Sequence, residues 1–238
     1  KLFTTHLDII GMIGIFVECR VRVSVHLEHI NLFFNNEHYY FFLKIILDNM
    51  DNQSFKTYKL GDYYDDGFRQ GVVFEVSTDG LQGKILSLSQ SEKLQWSNWI
   101  EFARHVEDRK IGIKNQCKIQ KYADWHERYP AFAWCSDQGD GWYLPAIDEL
   151  KRIALNDKIY DAVNQTLLAK GGVKLLDRGQ NESYWSSTEF DWEENIDCMG
   201  DMRSFALSVC MRDGACRAAF KYDSCYVRAV ALFDSRDR

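Results

Sequence analysis

Gly141-Trp142-Tyr143-Leu144-Pro145-Ala146-Ile147-Asp148-Glu149-Leu150 is the most distinctive stretch of the chain, and Tyr184-Trp185-Ser186-Ser187-Thr188-Glu189 is its expected partner. The first reads as a turn glycine, an aromatic pair and a Leu-Pro step that opens a helix. Proline suits the first turn because its missing N–H has no intrahelical partner there. Glu149 falls early in that helix, where the dipole favours a carboxylate. Ile147, Leu150, Ile153 and Ala154 then mark an apolar helical face. The second stretch is aromatic and strand-like. Neither carries a catalytic constellation, so together they read as a scaffold corner.

The elements around this corner are mixed. Before it, Val72–Val76 and Lys84–Leu88 are strand-like runs separated by Asp79-Gly80 and Gly83, which predicts a β-hairpin. The preceding acidic stretch, residues 61–67, reads as a turn. A calcium loop is excluded there because Tyr64 occupies a ligand position and Val73 stands where a bidentate Glu belongs. Trp96, Trp99, Ile100, Ala103 and Val106 recur at helical spacing, with Ser97 as cap and His105 on the same helix. Short helical pieces are expected over residues 114–136. After the corner, Ile159, Ala162, Val163, Thr166 and Leu167 predict a second helix that stops at Gly171-Gly172. Asn164-Gln165-Thr166 has the form of a glycosylation acceptor, but lies within that helix.

Toward the carboxyl end, residues 191–197 are densely acidic and read as a solvated loop. Phe205, Leu207, Val209 and Met211 alternate with Ser204, Ala206, Ser208 and Cys210, which predicts a strand with one covered face. Residues 212–225 are turn-rich and polar. Tyr226–Phe233 is apolar at nearly every position, as in a strand buried on both faces.

With 238 residues, 46% hydrophobic and 27% charged, the composition is that of a globular protein with ample length for a core. The net charge of −6 gives no electrostatic reason to expect a nucleic-acid partner. The seven cysteines form no C-x-x-C, so no zinc site is signalled. Free thiols are expected, with one or two disulfides after residue 197 as the alternative. Residues 1–50 differ in character, with apolar runs and dispersed histidines at positions 6, 26, 29 and 38. They read as an extension, with Met50 as a candidate start and the main domain covering residues 51–238. The apolar run at 7–17 is too short to span a bilayer and lacks a small-residue cleavage site, so membrane association and secretion are not indicated.

Gly141-Trp142-Tyr143-Leu144-Pro145, Tyr184–Glu189 and Tyr226-Val227-Arg228-Ala229-Val230, in that order, resemble bacterial C-type-lectin-like domains. This group includes the C-terminal domain of bacterial collagen-like adhesins and is distantly related to formylglycine-generating enzyme. The resemblance covers about residues 131 to 233. Within the group the chain is most similar to the variable proteins of diversity-generating retroelements, bacterial or phage proteins diversified by adenine-directed mutagenesis. The resemblance implies an α+β C-type-lectin-like fold with a β-hairpin, helices and a C-terminal antiparallel sheet. It also implies exposure on a cell surface or virion, a protein or cell-surface ligand, and a diversified binding face at residues 190–226.

Site residues expected on that face are Asp191, Trp192, Ser208, Cys210, Arg212, Asp213, Cys216, Tyr222, Asp223 and Ser224. Ser208, Cys210, Arg212, Asp213, Cys216, Tyr222, Asp223, Ser224 and Cys225 are types that adenine changes in an asparagine codon produce. Trp192, Arg212 and Tyr222 are the preferred contacts, since Trp, Tyr and Arg dominate interface energetics. No catalytic residue, metal ligand or cofactor is expected. Two alternatives stand beside this reading. A formylglycine-generating-enzyme-like oxidase would use Cys210 and Cys216, although the family's spacing and its Arg-Gly-Gly-Ser-Trp signature are missing. The other is a carbohydrate-binding adhesin of fixed specificity. It would not be of the calcium-dependent kind, because Glu-Pro-Asn, Gln-Pro-Asn and Trp-Asn-Asp do not occur.

Overall fold

The computed structural model describes residues 55–98, 106–190 and 204–237. Residues Phe55–Arg238 group as one unit, and its organising element is a five-stranded antiparallel sheet. In chain order the strands are β1 (Tyr63–Asp65), β2 (Gln70–Val76), β3 (Gln82–Ser87), β4 (Leu94–Gln95), β5 (Trp142–Tyr143), β6 (Ser183–Glu189), β7 (Phe205–Cys210), β8 (Cys216–Phe220), β9 (Ser224–Cys225) and β10 (Val230–Asp234). The large sheet runs β1-β2-β3-β10-β5; β6-β7-β8 form a second sheet, and β4-β9 a short ribbon. The described helices are α1 (Gly112–Ile119), α2 (Trp125–Arg128), α3 (Pro130–Ser136), α4 (Ile147–Ala154) and α5 (Asp157–Ala169). The fold is therefore mixed α+β with antiparallel sheets.

The large sheet is covered on both sides, which explains its unbroken apolar runs. Val73, Ile85, Ala229 and Ala231 face a core built on Trp96, Phe132, Leu144 and Trp185. Val72, Phe74, Leu86 and Val230 face a second core of Ile147, Leu150, Val163, Leu167, Leu207 and Val209. Gly83 has no room for a side chain here: a Cβ would meet the Glu75 carbonyl at 2.1 Å and the Phe233 ring at 2.7 Å.

The hairpin of β2 and β3 forms as expected, with a bulge between Val73 and Glu75. The two helices after the corner also form, and Gly171, with φ of 71°, ends α5 in the left-handed conformation. Several expectations need correction. Residues 61–67 are not all turn, since Tyr63–Asp65 pairs with β2. Pro145 lies outside α4, whose N-cap is Ala146 with ψ of 163°. Trp96 and Val106 are not helical; both are buried in the first core. The middle of that expected helix, with His105, lies outside the described residues.

At the carboxyl end, β7 is covered on both faces rather than one, because Ala206 packs into the first core while Leu207 and Val209 pack into the second. Residues 212–225 are not only turns: Cys216–Phe220 pairs with β7 from Phe205↔Phe220 to Val209↔Cys216. In the last strand Leu232 is 46% exposed, so the expected burial on both faces does not extend along its whole length.

Candidate functional site

The corner and its partner strand are joined by direct hydrogen bonds. The Ser187 N–H donates to the Pro145 carbonyl at 2.7 Å, and the Ile147 N–H donates to Thr188 Oγ1 at 3.1 Å. Thr188 Oγ1 donates in turn to the Asp108 carbonyl. Asn115 Nδ2 reaches both Ser187 Oγ at 3.0 Å and the Asp108 carbonyl at 2.8 Å. Ser186 Oγ donates to the Leu207 carbonyl on the neighbouring strand. Serines and a threonine that look like surface residues in the sequence are thus buried connectors: the Ser186 and Thr188 hydroxyls satisfy backbone groups sealed from water, and that of Ser187 satisfies the Asn115 amide.

Glu149 anchors the other side of the corner. It is 3% exposed and accepts from the Ala146 N–H at 2.7 Å, the Gly112 N–H at 3.1 Å and the Tyr143 hydroxyl at 3.0 Å. Lys84 Nζ pairs with it at 2.9 Å. The carboxylate ties the helix N-terminus, α1 and the central sheet into one junction. Burial and this carboxylate push the Tyr143 hydroxyl far above its ordinary range.

Two buried cations hold the carboxyl-terminal segment. The Arg228 guanidinium donates to the carbonyls of Ser87, Leu88, Val173 and Lys174 and to the Gln90 side chain. Lys221 pairs with Glu189, both side chains fully buried, and its Nζ lies 5.0 Å from the centroid of the Trp96 ring. The Lys221 backbone is held from both sides, donating to the Ser204 carbonyl at 2.7 Å and accepting from the Trp96 N–H at 2.9 Å.

On this frame β8 forms an exposed face. Cys216, Ala218 and Phe220 are exposed along it. It continues at one end into the hairpin turn with Arg212 and Asp213, and at the other into Tyr222, Asp223 and Ser224. Phe205 and Phe220 lie 4.2 Å apart centroid to centroid, and Tyr222 stacks on Phe220 at 5.0 Å and 20°. Asp213 accepts from the Ala215 N–H, which holds its carboxyl below the ordinary range, and it also faces Arg212 and Arg217. Asp223 closes its own turn, accepting from the Phe220 N–H at 3.3 Å.

Among the expected site residues, the structure therefore brings Arg212, Asp213, Cys216, Tyr222, Asp223 and Ser224 onto one exposed stretch. Ser208 and Cys210 do not join them: they are 2% and 0% exposed, because both faces of β7 are covered. Cys210 Sγ donates to Asn181 Oδ1. Asp191, Trp192 and the acidic run at 191–197 lie outside the described residues. Phe205 and Phe220 were missed in the sequence because only the β7–β8 register makes them neighbours; the one available signal was the two-residue spacing from Phe220 to Tyr222.

Cys210 and Cys216 do not converge. Cys216 pairs with Val209 across the ladder and shares its face, so Cys210 points to the other face. The cysteines at 117, 135, 210, 216 and 225 are free thiols, as expected. Burial raises the Cys216 thiol and pushes Cys225 up to about 12. Among the described residues there is no group of three or more His, Cys, Asp or Glu able to hold a metal ion, and no helix is long and apolar enough to cross a membrane.

No protein-family model matches the chain, and no curated protein is significantly similar to it.

Proposed function

We propose that this protein is a non-catalytic recognition protein with a C-type-lectin-like scaffold and a diversified binding face within residues 190–226. Its ligand is a protein or a cell-surface molecule, met outside the cell or on a virion. The observation that carries the reading is a match between codon chemistry and burial in residues 211–226. Changing the adenines of an asparagine codon yields every residue type in that run except Met211 and Lys221. Both exceptions are buried, at 1% and 0% exposure. The positions that such mutagenesis can reach include the whole exposed face, and the two it cannot are core residues that hold the face in place.

Energetics support the same division. Substitutions on an exposed face away from caps and buried networks change stability by about 0.5 kcal/mol or less, so β8 can vary while Lys221, Arg228 and the β6 hydroxyls hold the frame. Arg212, Tyr222 and the Phe205–Phe220 pair offer the side-chain types that dominate interface energetics. An oxidase using Cys210 and Cys216 draws no support from this geometry, since the two thiols lie on opposite faces of the sheet.

Sequencing many natural copies of the gene tests the reading. Substitutions should concentrate at the exposed positions of residues 212–226, with Met211 and Lys221 constant. Variation spread evenly along the chain would refute it in favour of a fixed-specificity protein.

A further inference from the structure

A groove separate from the β8 residues opens between the β1–β2 turn, the segment after β3 and the α3–β5 connection. Its volume is about 280 Å³, and its walls include Phe68, Gln70, Ser87, Ser89, Gln138 and Trp142. None of these carries a formal charge. Their polar groups are hydroxyls and amides, and two aromatic rings complete the wall. A space near the small end of ligand-pocket sizes suits one small molecule rather than a polypeptide segment.

The walls are pre-oriented. Ser87 Oγ donates to the Ser89 carbonyl at 2.8 Å, Ser89 Oγ donates to Gln138 Oε1 at 2.6 Å, and Gln138 Nε2 donates to the Trp134 carbonyl at 3.2 Å. Phe68 is different: it is 95% exposed, although hydrogen bonds from the Phe68 and Arg69 N–H groups to Asp66 Oδ1 fix its turn at 2.9 and 2.6 Å. A large apolar ring held fully in water by a rigid turn contributes nothing to the core.

Trp142 supplies the second observation. It is 5% exposed, hence 95% buried. The indole N–H groups of buried Trp96 and Trp185 donate to the carbonyls of Ser186 and Leu94, each at 2.8 Å. That of Trp142 donates to no described residue and is not sealed from solvent, so it remains open to an incoming acceptor. The side chain lines the groove, so an acceptor entering there would complete it.

We infer that this groove binds a neutral polyhydroxy ligand the size of one hexose ring. The C–H face of the sugar packs against Phe68, a ring oxygen or hydroxyl accepts from the Trp142 N–H, and further hydroxyls bond to Ser89, Gln70 and Gln138. An anionic sugar would bring a carboxylate to walls without a counter-charge and lose hydration without return.

Titrating the full chain with D-glucose, D-galactose, D-mannose and N-acetyl-D-glucosamine, followed by tryptophan fluorescence and calorimetry, tests the assignment, with D-glucuronate as the charged control. At least one neutral sugar should bind saturably with Kd on the order of 1 mM. Phe68→Ala and Trp142→Phe should each weaken it about tenfold, a change of about 1.4 kcal/mol, while Tyr222→Ala leaves it unchanged. Phe68 is too exposed for its loss to unfold the domain, so the test does not depend on the Trp142 variant folding. Absence of saturable binding by all four neutral sugars, tighter binding of glucuronate, or full affinity in Phe68→Ala would each overturn the inference. Loss of sugar binding in Tyr222→Ala alone would move the sugar to the β8 face and overturn this groove as its site.

Discussion

At the scale of single residues, the domain depends on a few buried polar groups with specific partners. Gly112 is one position where no side chain fits: a Cβ would meet the Leu144 carbonyl at 2.5 Å, the Ala146 nitrogen at 2.6 Å and Glu149 Oε2 at 2.8 Å. Gly112→Ala should therefore destabilise by about 1–3 kcal/mol, as overpacking does, measured by denaturant unfolding. Leu144, fully buried between the corner and the first core, should cost about 2–5 kcal/mol as Leu144→Ala. By contrast, Tyr222→Ala should stay within about 0.5 kcal/mol of the parent, since Tyr222 is 45% exposed. If thermal unfolding ranks these two variants the other way round, the split between frame and face is wrong. Lys221→Met would remove the buried ammonium that pairs with the Glu189 carboxylate and should cost about 3–5 kcal/mol. Adding Glu189→Gln should recover part of that loss.

At the scale of elements, the β1–β2 turn carries the clearest pH dependence. Partial burial pushes the Asp66 carboxyl up, but the Arg69 and Phe68 N–H groups, the Arg69 guanidinium and the Tyr64 hydroxyl together lower it from 3.8 to about 2. A carboxylate lowered in the folded state contributes stability above its unfolded value and loses it as pH falls through the folded one. The contribution of this turn should thus be intact above about pH 4 and vanish toward pH 2. Asp66→Asn should be less stable than the parent at pH 7 and converge with it near pH 2 in acid titrations. Equal stability across the whole range would show that the turn hydrogen bonds contribute nothing net. The β8 edge behaves differently, since its exposed side chains are replaceable and only its ladder with β7 and the Lys221 anchor are obligatory.

At the scale of the whole molecule, two cores on opposite sides of one sheet separate holding from presenting. The Gly141–Leu150 corner, the β6 hydroxyls and Arg228 converge on the frame, and the β8 stretch remains outside it. Much of this was legible in the sequence. The hairpin, α4, α5, β6 and the corner follow from periodicities and turn residues that act over a few positions. The partnership of the corner with residues 184–189 was expected, and direct hydrogen bonds bear it out. What could not be read were consequences of register and layering. The alternation in residues 204–211 fits a strand with one wet face equally well, until one face packs into the second core through Leu207 and Val209 and the other into the first through Ala206. Trp96 and Val106, read as ends of a helix from their spacing, are themselves non-helical and meet in the first core. Pro145 stands just before α4 because Ala146 supplies the extended N-cap.

Local interactions determined from sequence alone that the chain forms a mixed α+β domain with an aromatic corner and a late segment of small, polar and aromatic residues. Tertiary structure alone decided which of those late residues face water. It buried Ser208, Cys210 and Lys221, exposed Cys216 and Tyr222, and brought Phe205 against Phe220. The physical reason is that burial is a property of what lies across a residue in space. For β7 and β8, that is set by strand pairing and by a sheet covered from both sides, neither of which is encoded at neighbouring positions.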